Sequence, residues 1–222
     1  MKTAIIGLGT IGGAVANNLV QGGMDVIIAE RDPEKASAVA EKLGARATAL
    51  PVSEAVQAAD IIILAIWLDA IKEFLGGYRN DLGKKLVVDP SNPIAPDGKG
   101  GFKKVIPQDQ SSGQIVAELL PAGAKLVKAF GTLAGTSLAT AANRAPERAV
   151  LFFATDDPEA GGVVAKLIEA SGFTPISVGG IDQSMRIEVF GDLHEYGKLG
   201  RLVSAREAEE LLAHAPQTAH AS

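Results

Sequence analysis

Short apolar runs alternate with amphipathic segments along most of this chain. The first run covers residues 2–7, and in the segment after it Ile11, Val15 and Leu19 recur every fourth residue, the spacing of one helix face. Further apolar runs end near residues 30, 65, 89, 129 and 154, and a helical pattern follows each of them. This alternation predicts an α/β fold: a doubly wound, mostly parallel Rossmann-type sheet with helices on both faces and a small C-terminal extension.

Capping residues mark where several of these helices should begin. Asp32 before Pro33 and Asp157 before Pro158 are each typical of an N-cap with proline at the first helical position. Ser53 is expected to cap a shorter helix in the same way. An apolar periodic stretch follows each of the three residues, so each position is a predicted helix start.

The pattern changes in two later regions. Residues 90–108 contain four prolines and three glycines and are predicted to form a long loop, suited to act as a lid. Apolar residues then recur four positions apart from Ile181 through Val189 to Leu193, which predicts a helix that also carries His194.

The chain length of 222 residues suits one domain with a short appendage. A single Rossmann-type domain is expected over residues 1–205, with a dinucleotide-binding core in 1–145 and a C-terminal part in 146–205. The remaining residues, 206–222, are expected to form a partly disordered tail.

The strongest functional signal is a glycine motif at the end of the first strand. The strand runs into Gly-x-Gly-x-x-Gly, in which the first glycine permits a tight turn, the second lets the backbone approach a diphosphate, and the third lets the next helix pack closely. The first amides of that helix would face the diphosphate with the positive end of the helix dipole behind them. The predicted dinucleotide-binding turn consists of Gly7, Leu8, Gly9, Thr10, Ile11 and Gly12.

Two residues at the end of the second apolar run bear on which dinucleotide is bound. Glu30 stands eighteen residues after Gly12, where a carboxylate accepts hydrogen bonds from the adenosine ribose and repels the 2′-phosphate of NADP. Arg31 favours the opposite choice, because a guanidinium grips phosphate. The pair predicts a weak preference for NAD, with use of both dinucleotides left open.

Ligands of doubly wound sheets bind beyond the carboxyl ends of the strands. The third long run ends in Ala65, Ile66 and Trp67, the fourth is followed by Pro90 and Asn92, and the fifth by Thr132. All but Thr132 are predicted to contact the dinucleotide. Trp67, Asn92 and Thr132 are the candidates for a pocket that holds a second substrate, although helix-cap packing explains Trp67 equally well.

The inventory of proton donors is short. The sequence has no Tyr-x-x-x-Lys pair and no Gly-x-Ser-x-Gly elbow, and only Asp89, Lys128, Tyr78 and His194 are candidates to protonate a carbonyl oxygen. Hydride transfer between two conjugated rings asks less of the protein, because the cofactors carry the chemistry. No catalytic side chain is therefore assigned, and none is expected to be indispensable as a proton donor.

Composition removes several classes of function. The chain has no cysteine, which excludes thiol catalysis and cysteine-ligated metals, and no metal site is expected. A net charge of −5 and an aromatic content of 5% argue against a nucleic-acid partner. No apolar run approaches the ~20 residues that cross a bilayer, and the first strand leaves no room for a signal peptide. The expectation is a cytoplasmic homodimer that acts on a small molecule, with no membrane partner.

Several ordered segments resemble the family of NADP oxidoreductases that depend on coenzyme F420. The resemblance covers residues 1 to about 190, and its segments are Ile6–Gly12, Arg31, Ala65–Trp67, Val87–Pro93, Gly100–Phe102, Ser111–Ala117, Lys128–Thr132 and Asp156–Pro158. It implies hydride transfer between a nicotinamide and a deazaflavin, with a flavin or another conjugated ring as the related acceptors. Where relatives that choose NADP resemble Ser/Thr-Arg, this chain has Glu30-Arg31, and Gly131-Thr132 stands where a His-Thr or Asn-Thr pair is common.

Two other functions stay open. A carbonyl, imine or hydroxyacid reductase would share the N-terminal half, but such enzymes add a long helical domain for which about 70 residues remain after the run ending at 154. A non-catalytic NAD(P)-binding redox sensor is the alternative of another class, and the sparse acid–base inventory is compatible with it. A methyltransferase is a remote option, which the long strand–helix alternation disfavours.

Overall fold

A computed structural model of the protein describes residues 1–213. Six strands form one parallel sheet in the spatial order β3-β2-β1-β4-β5-β8. Their bounds are β1 Thr3–Ile6, β2 Val26–Ala29, β3 Ala47–Ala49, β4 Ile61–Leu64, β5 Leu86–Asp89 and β8 Lys125–Lys128. The order reverses between β1 and β4, so a crevice opens at the carboxyl ends of these two strands. The predicted doubly wound, mostly parallel fold is confirmed.

Helices cover both faces of this sheet. One face carries α1 (Thr10–Gln21), α2 (Pro33–Leu43), α6 (Gly135–Thr140) and α7 (Pro158–Ala170), and the other carries α3 (Val52–Ala58), α4 (Leu68–Gly77) and α5 (Ser112–Leu119). Strand residues alternate between the two cores: Ile5 and Ile63 pack on the first, while Ala4, Ile62 and Leu64 pack on the second. Side chains of successive strand residues point to opposite faces, so a buried strand is apolar at every position.

A smaller unit follows the main sheet. Strands β9 (Val150–Phe153) and β10 (Thr174–Ser177) pair in parallel, and an antiparallel bridge between Lys128 and Ala154 joins them to β8. A third apolar cluster lies against this pair and includes Phe152, Leu193 and Ala208. The C-terminal part therefore packs against the edge of the main sheet at β8.

Four expectations differ from the structure. The helix predicted from Ile181 ends early, as a 3-10 turn over Ile181–Gln183 and α8 over Ser184–Ile187, because the next side chain, Glu188, enters a buried polar cluster. Ser53 is not a cap, since α3 begins at Val52 after Pro51. Residues 90–108 hold an antiparallel hairpin, β6 (Ile94–Pro96) and β7 (Phe102–Lys104). The expected tail begins as helix α9 over Ala205–Ala213, which buries Ala208, and residues 214–222 lie outside the described residues.

Two of the predicted caps are confirmed. The Asp32 carboxylate accepts hydrogen bonds from the amides of Glu34 and Lys35, and the Asp157 carboxylate accepts one from Ala160. Within residues 1–213, no helix is both long and apolar enough to cross a membrane.

Candidate functional site

The glycine-rich turn between β1 and α1 is shaped by close backbone approaches. Gly7 has a φ of +93°, and a Cβ there would lie 2.5 Å from the carbonyl oxygen of Ala65. A Cβ on Gly12 would overlap the carbonyl oxygen of Gly7. A Cβ on Gly9 would meet no atom within 4 Å. The first and third glycines are thus required by the fold, whereas the second faces open space at the crevice.

The start of α1 has no side-chain cap, a property that it shares with α3, α4 and α6. Its N-cap is Gly9, which offers no side-chain hydrogen bond, and its first turn contains no acidic residue. By contrast, Asp32, Ser111 and Asp157 cap α2, α5 and α7. Unpaired first-turn amides and the positive end of the dipole form a site for anions. This cradle fits a dinucleotide diphosphate.

Glu30 lies beside this turn, at the end of β2. One carboxylate oxygen accepts the amide of Leu8 at 3.0 Å and is 3.1 Å from Nζ of Lys35, and the other accepts the amide of Arg31 at 2.9 Å. Partial burial raises the pKa of Glu30, but the hydrogen bonds from Leu8, Arg31 and Lys35 outweigh burial and hold that pKa below its usual range. Glu30 is therefore a fixed negative charge.

Lys35 is a site residue that the sequence argument missed. Its ammonium pairs with Glu30 from the first turn of α2, and the exposed Arg31 places a second cation beside the end of β2. The available signal was the Asp32 cap, since a cap at that position places Lys35 in the first turn, beside the end of β2.

Three adjacent strands bring the remaining candidates to one edge of the sheet. Ala65 packs against Gly12, and Trp67 forms the N-cap of α4 with 59% of its surface exposed. Pro90 and Asn92 follow the neighbouring strand β5, and Thr132 follows β8. Since β4, β5 and β8 are neighbours in the sheet, these residues line the crevice side by side.

The Asn92 side chain is already engaged by the protein. Its Nδ2 donates to the carbonyl of Gly131 at 3.0 Å, and its Oδ1 accepts the amide of Val189 at 2.6 Å. Gly131 is also required here, because a Cβ would lie 2.6 Å from the carbonyl oxygen of Pro90. Asn92 thus fastens the loops after β5 and β8 to the C-terminal segment and shapes the pocket.

The Thr132 hydroxyl, unlike the side-chain amide of Asn92, is not engaged by the described residues. The residue is 1% exposed, and among the residues described here its Oγ1 has no hydrogen-bond partner. A buried hydroxyl without a partner costs free energy, of the order of 1–3 kcal/mol. Its carbonyl accepts the amide of Glu195, whose carboxylate in turn accepts the amide of Ala134 and the hydroxyl of Ser137.

His194 lies in a turn and not on the expected helix. Its Nδ1 accepts the amide of Tyr196 at 2.8 Å, so its other nitrogen, Nε2, carries the hydrogen and donates to Gly131 at 2.9 Å. Burial lowers the pKa of His194 to about 4, against the opposing effect of the Gly131 carbonyl. The ring is neutral at pH 7, and its single N–H is occupied.

The other proton-donor candidates are also engaged elsewhere. Nζ of Lys128 contacts Asp89 at 2.8 Å, Ser112 Oγ at 2.7 Å and the carbonyl of Ser91, and both charged side chains are almost fully buried. Tyr78 follows the C-terminal end of α4, where its ring packs on Phe74.

Glu188 completes this buried cluster and was not foreseen from the sequence. Its carboxylate accepts the amides of Ser112 and Gly113 and the hydroxyl of Ser112, and lies 3.6 Å from Nζ of Lys128. The signal was a carboxylate inside the apolar stripe from Ile181 to Leu193, which a regular helix would not bury. No cluster of potential metal ligands is found in the described part of the chain.

The chain is similar to several known proteins. A family model described as NADP oxidoreductase, coenzyme F420-dependent, matches residues 2–93. A solved structure of a hypothetical protein from Sinorhizobium meliloti is 33% identical, with a TM-score of 0.81 over 92% of this chain and 95% of that chain.

Two curated proteins are also similar. The F420-dependent NADP reductase of Methanothermobacter thermautotrophicus is 28% identical over 199 residues, 85% of each chain. Rat metalloreductase STEAP3 is 29% identical over 187 residues, which are 84% of this chain and 36% of that protein. The present chain thus spans about a third of STEAP3 but most of the archaeal reductase. Residues 2–93 thus match the family model of coenzyme F420-dependent NADP oxidoreductases, and most of the chain is similar to the archaeal F420-dependent NADP reductase.

Proposed function

We propose that this protein is an NAD(P)-dependent oxidoreductase that transfers a hydride between a nicotinamide and a conjugated ring, with a deazaflavin such as coenzyme F420 or a flavin as the acceptor. When bound, the reduced nicotinamide supplies a hydride that the acceptor ring takes together with one proton from water. The residues of the chain bind, orient and shield the two rings.

One observation carries this proposal. The crevice has a cradle that suits a dinucleotide, yet none of the four candidate proton donors is free beside it. His194 donates to Gly131, Lys128 and Asp89 pair with each other, and Tyr78 packs on Phe74 at the far end of α4. Reduction of a carbonyl needs an acid within hydrogen-bond reach of its oxygen. Transfer between rings needs their alignment above all. The arrangement favours the second reaction.

The charges beside the adenosine site support use of both dinucleotides. Glu30 alone would oppose the 2′-phosphate of NADP, but Lys35 pairs with it at 3.1 Å and Arg31 adds a second cation. Arg31 and Lys35 offer two cations to a phosphate, and the fixed carboxylate of Glu30 still offers acceptors to the ribose of NAD. We infer that NADPH binds despite Glu30. The weak preference for NAD that the sequence predicts has not been tested and stays a prediction.

Dinucleotide binding is tested with a substitution that the fold tolerates. Gly9→Val adds atoms into the open space of the cradle, so the protein should fold while NADH and NADPH binding is abolished. Gly162→Val is the matched control, because a Cβ at this exposed position on α7 also meets nothing within 4 Å. Fluorescence titration measures both affinities. Unchanged binding in folded Gly9→Val would refute the assigned cradle.

The acceptor is tested by steady-state oxidation of NADH and NADPH. Coenzyme F420 and FMN represent conjugated rings, and a panel of small carbonyls and imines represents the alternative. Turnover with a ring acceptor is expected. Turnover only with a carbonyl or imine would favour the reductase alternative, and dinucleotide binding without any turnover would favour the redox sensor.

A further inference from the structure

Phe190 combines two properties that rarely occur together. Its φ is +75°, a left-handed conformation that is an outlier for a bulky residue, and 51% of its surface is exposed. The other phenylalanine with a positive φ, Phe130, is fully buried. Strained residues persist only where the surrounding structure enforces them, and they concentrate at ligand sites. Burial in a core does not account for the conformation of Phe190.

The backbone on both sides of Phe190 is held in place. The preceding amide, Val189, donates to Oδ1 of Asn92 at 2.6 Å. The following amide, Gly191, donates to the carbonyl of Glu188 at 2.8 Å, and the Gly191 carbonyl accepts the amide of Lys198. The Glu188 side chain is itself anchored at the start of α5. The aromatic ring of Phe190 is thus carried by a turn whose backbone is fixed. The preceding residue, Val189, contacts the crevice residue Asn92.

Phe190 lines a cleft of about 420 Å³ between the hairpin and the C-terminal segment. Lys104 and Lys198 also line it. The ammonium of Lys104 contacts only backbone carbonyls, those of Gln108 and Gln110, and Lys198 makes no ion pair with any residue in 1–213. Glu188 and Asp192 also line the cleft, with Glu188 near Lys128 and Asp192 paired with Arg186. The cleft therefore places two lysines, neither of which forms an ion pair within residues 1–213, beside an exposed aromatic ring.

We propose that Phe190 is a stacking platform for the ring of the hydride acceptor and that Lys104 and Lys198 bind an anionic chain on the same molecule. The inference rests on the proposed function and narrows it. The acceptor class becomes a planar conjugated ring that carries a phosphate or carboxylate. Stacking on an aromatic face and charge attraction are independent contributions, so each can be removed separately.

The platform is tested with Phe190→Gly and Phe190→Ala. Glycine adopts a positive φ without strain, so Phe190→Gly should melt at a temperature equal to or above that of the wild type. Both variants should bind FMN roughly tenfold more weakly in the presence of NADP⁺, the loss of one stacking contact, with an unchanged Kd for the dinucleotide. Tyr196→Ala is the matched control, because Tyr196 is an exposed aromatic residue of the same segment that does not line the cleft.

The anionic chain is tested with two ligands that share one ring. FMN and riboflavin differ by a phosphate, so Lys198→Ala should weaken FMN binding severalfold and leave riboflavin binding unchanged. Added salt should weaken FMN binding to the wild type and have less effect on the variant. Lys166→Ala, an exposed lysine of α7, is the control for a general change of charge. Equal loss for both ligands would refute a phosphate site at Lys198.

The outcomes separate this inference from the proposed function. If the wild type turns over a ring acceptor while Phe190→Ala keeps its KM and its affinity for FMN, the platform is refuted and the proposed function stands. If the wild type binds neither flavin and reduces only carbonyls, both are refuted. If Phe190→Ala instead changes the sedimentation of the protein and leaves FMN binding intact, the exposed ring is a contact between copies of this chain, and the inference is wrong.

Discussion

Several polar side chains at the carboxyl edge of the sheet bind other parts of the protein and thereby shape the pocket. Asn92, which precedes Gly131 in the chain, and His194, which follows it, both donate an N–H to the Gly131 carbonyl. Thr132, the next residue, is the exception, since its hydroxyl is buried without a partner in the described residues. We therefore expect the Thr132 hydroxyl, and not the side-chain amide of Asn92, to bind a ligand.

The cofactor preference should depend on the Glu30–Lys35 pair. Glu30→Ser removes the carboxylate that opposes a 2′-phosphate, and we expect a shift toward NADPH of about 1–3 kcal/mol. Lys35→Met should do the reverse and weaken NADPH more than NADH. Titration of both dinucleotides against each variant measures the ratio of affinities. Lys42→Met, in the last turn of the same helix, is the control and should leave the ratio unchanged.

Buried His194 should make stability depend on pH. Because burial lowers its pKa to about 4 in the fold, the unfolded chain binds a proton more readily between pH 6.5 and 4. The stabilisation from the neutral ring is fully present above pH 6.5 and is lost as the pH falls toward 4, by up to about 3 kcal/mol. Urea unfolding at several pH values measures this slope. His194→Gln keeps a donor for Gly131 and should flatten the profile over that range.

At the scale of elements, one buried ionic cluster connects four parts of the fold. Asp89 ends β5, Lys128 ends β8, Ser112 begins α5, and Glu188 follows α8. The Glu188 carboxylate also benefits from the α5 amides and the positive end of the helix dipole. The expectation that no single side chain is indispensable concerned proton donation. The cluster gives Lys128 a separate role, which is to neutralise buried carboxylates in the fold.

Lys128→Met should destabilise the protein because it leaves two buried carboxylates without their cation. Breaking one partner of a buried ion pair costs about 3–5 kcal/mol in comparable cases. Lys125→Met is the matched control on the same strand, since Lys125 makes exposed ion pairs with Asp157 and Glu159, and little change is expected. Denaturant unfolding compares the two variants. Equal stability of the two would show that the cluster contributes nothing to folding.

At the scale of the whole molecule, shared strands couple the parts of the fold. Every strand of the main sheet presents side chains to a core on at least one face, and β1, β2, β4, β5 and β8 contribute to both cores. The third cluster is joined to the sheet at Lys128 and Ala154. The buried lysine at this junction thus links the C-terminal part to the main sheet.

We therefore expect the protein to unfold in one cooperative transition. Calorimetric and van't Hoff enthalpies should agree, and NADPH at 100 times its Kd should raise the free energy of unfolding by about 2.7 kcal/mol without splitting the transition. Differential scanning calorimetry measures both. Two transitions, of which only one responds to NADPH, would show that the C-terminal part unfolds independently.

The sequence by itself determined the sheet, most helices and the glycine-rich turn after β1, because these depend on local pattern: apolar runs, caps such as Asp32 and Asp157, and glycines at fixed spacing. It also brought Trp67, Asn92 and Thr132 to one edge, since parallel strands end on the same side. Only the tertiary structure decided which polar groups those residues meet. The pairing of Glu30 with Lys35, the burial of Glu188 beside Lys128 and the exposed, strained Phe190 arise from contacts with other segments, and for Glu188 the gain from helix amides and a buried cation outweighed the local preference for a longer helix.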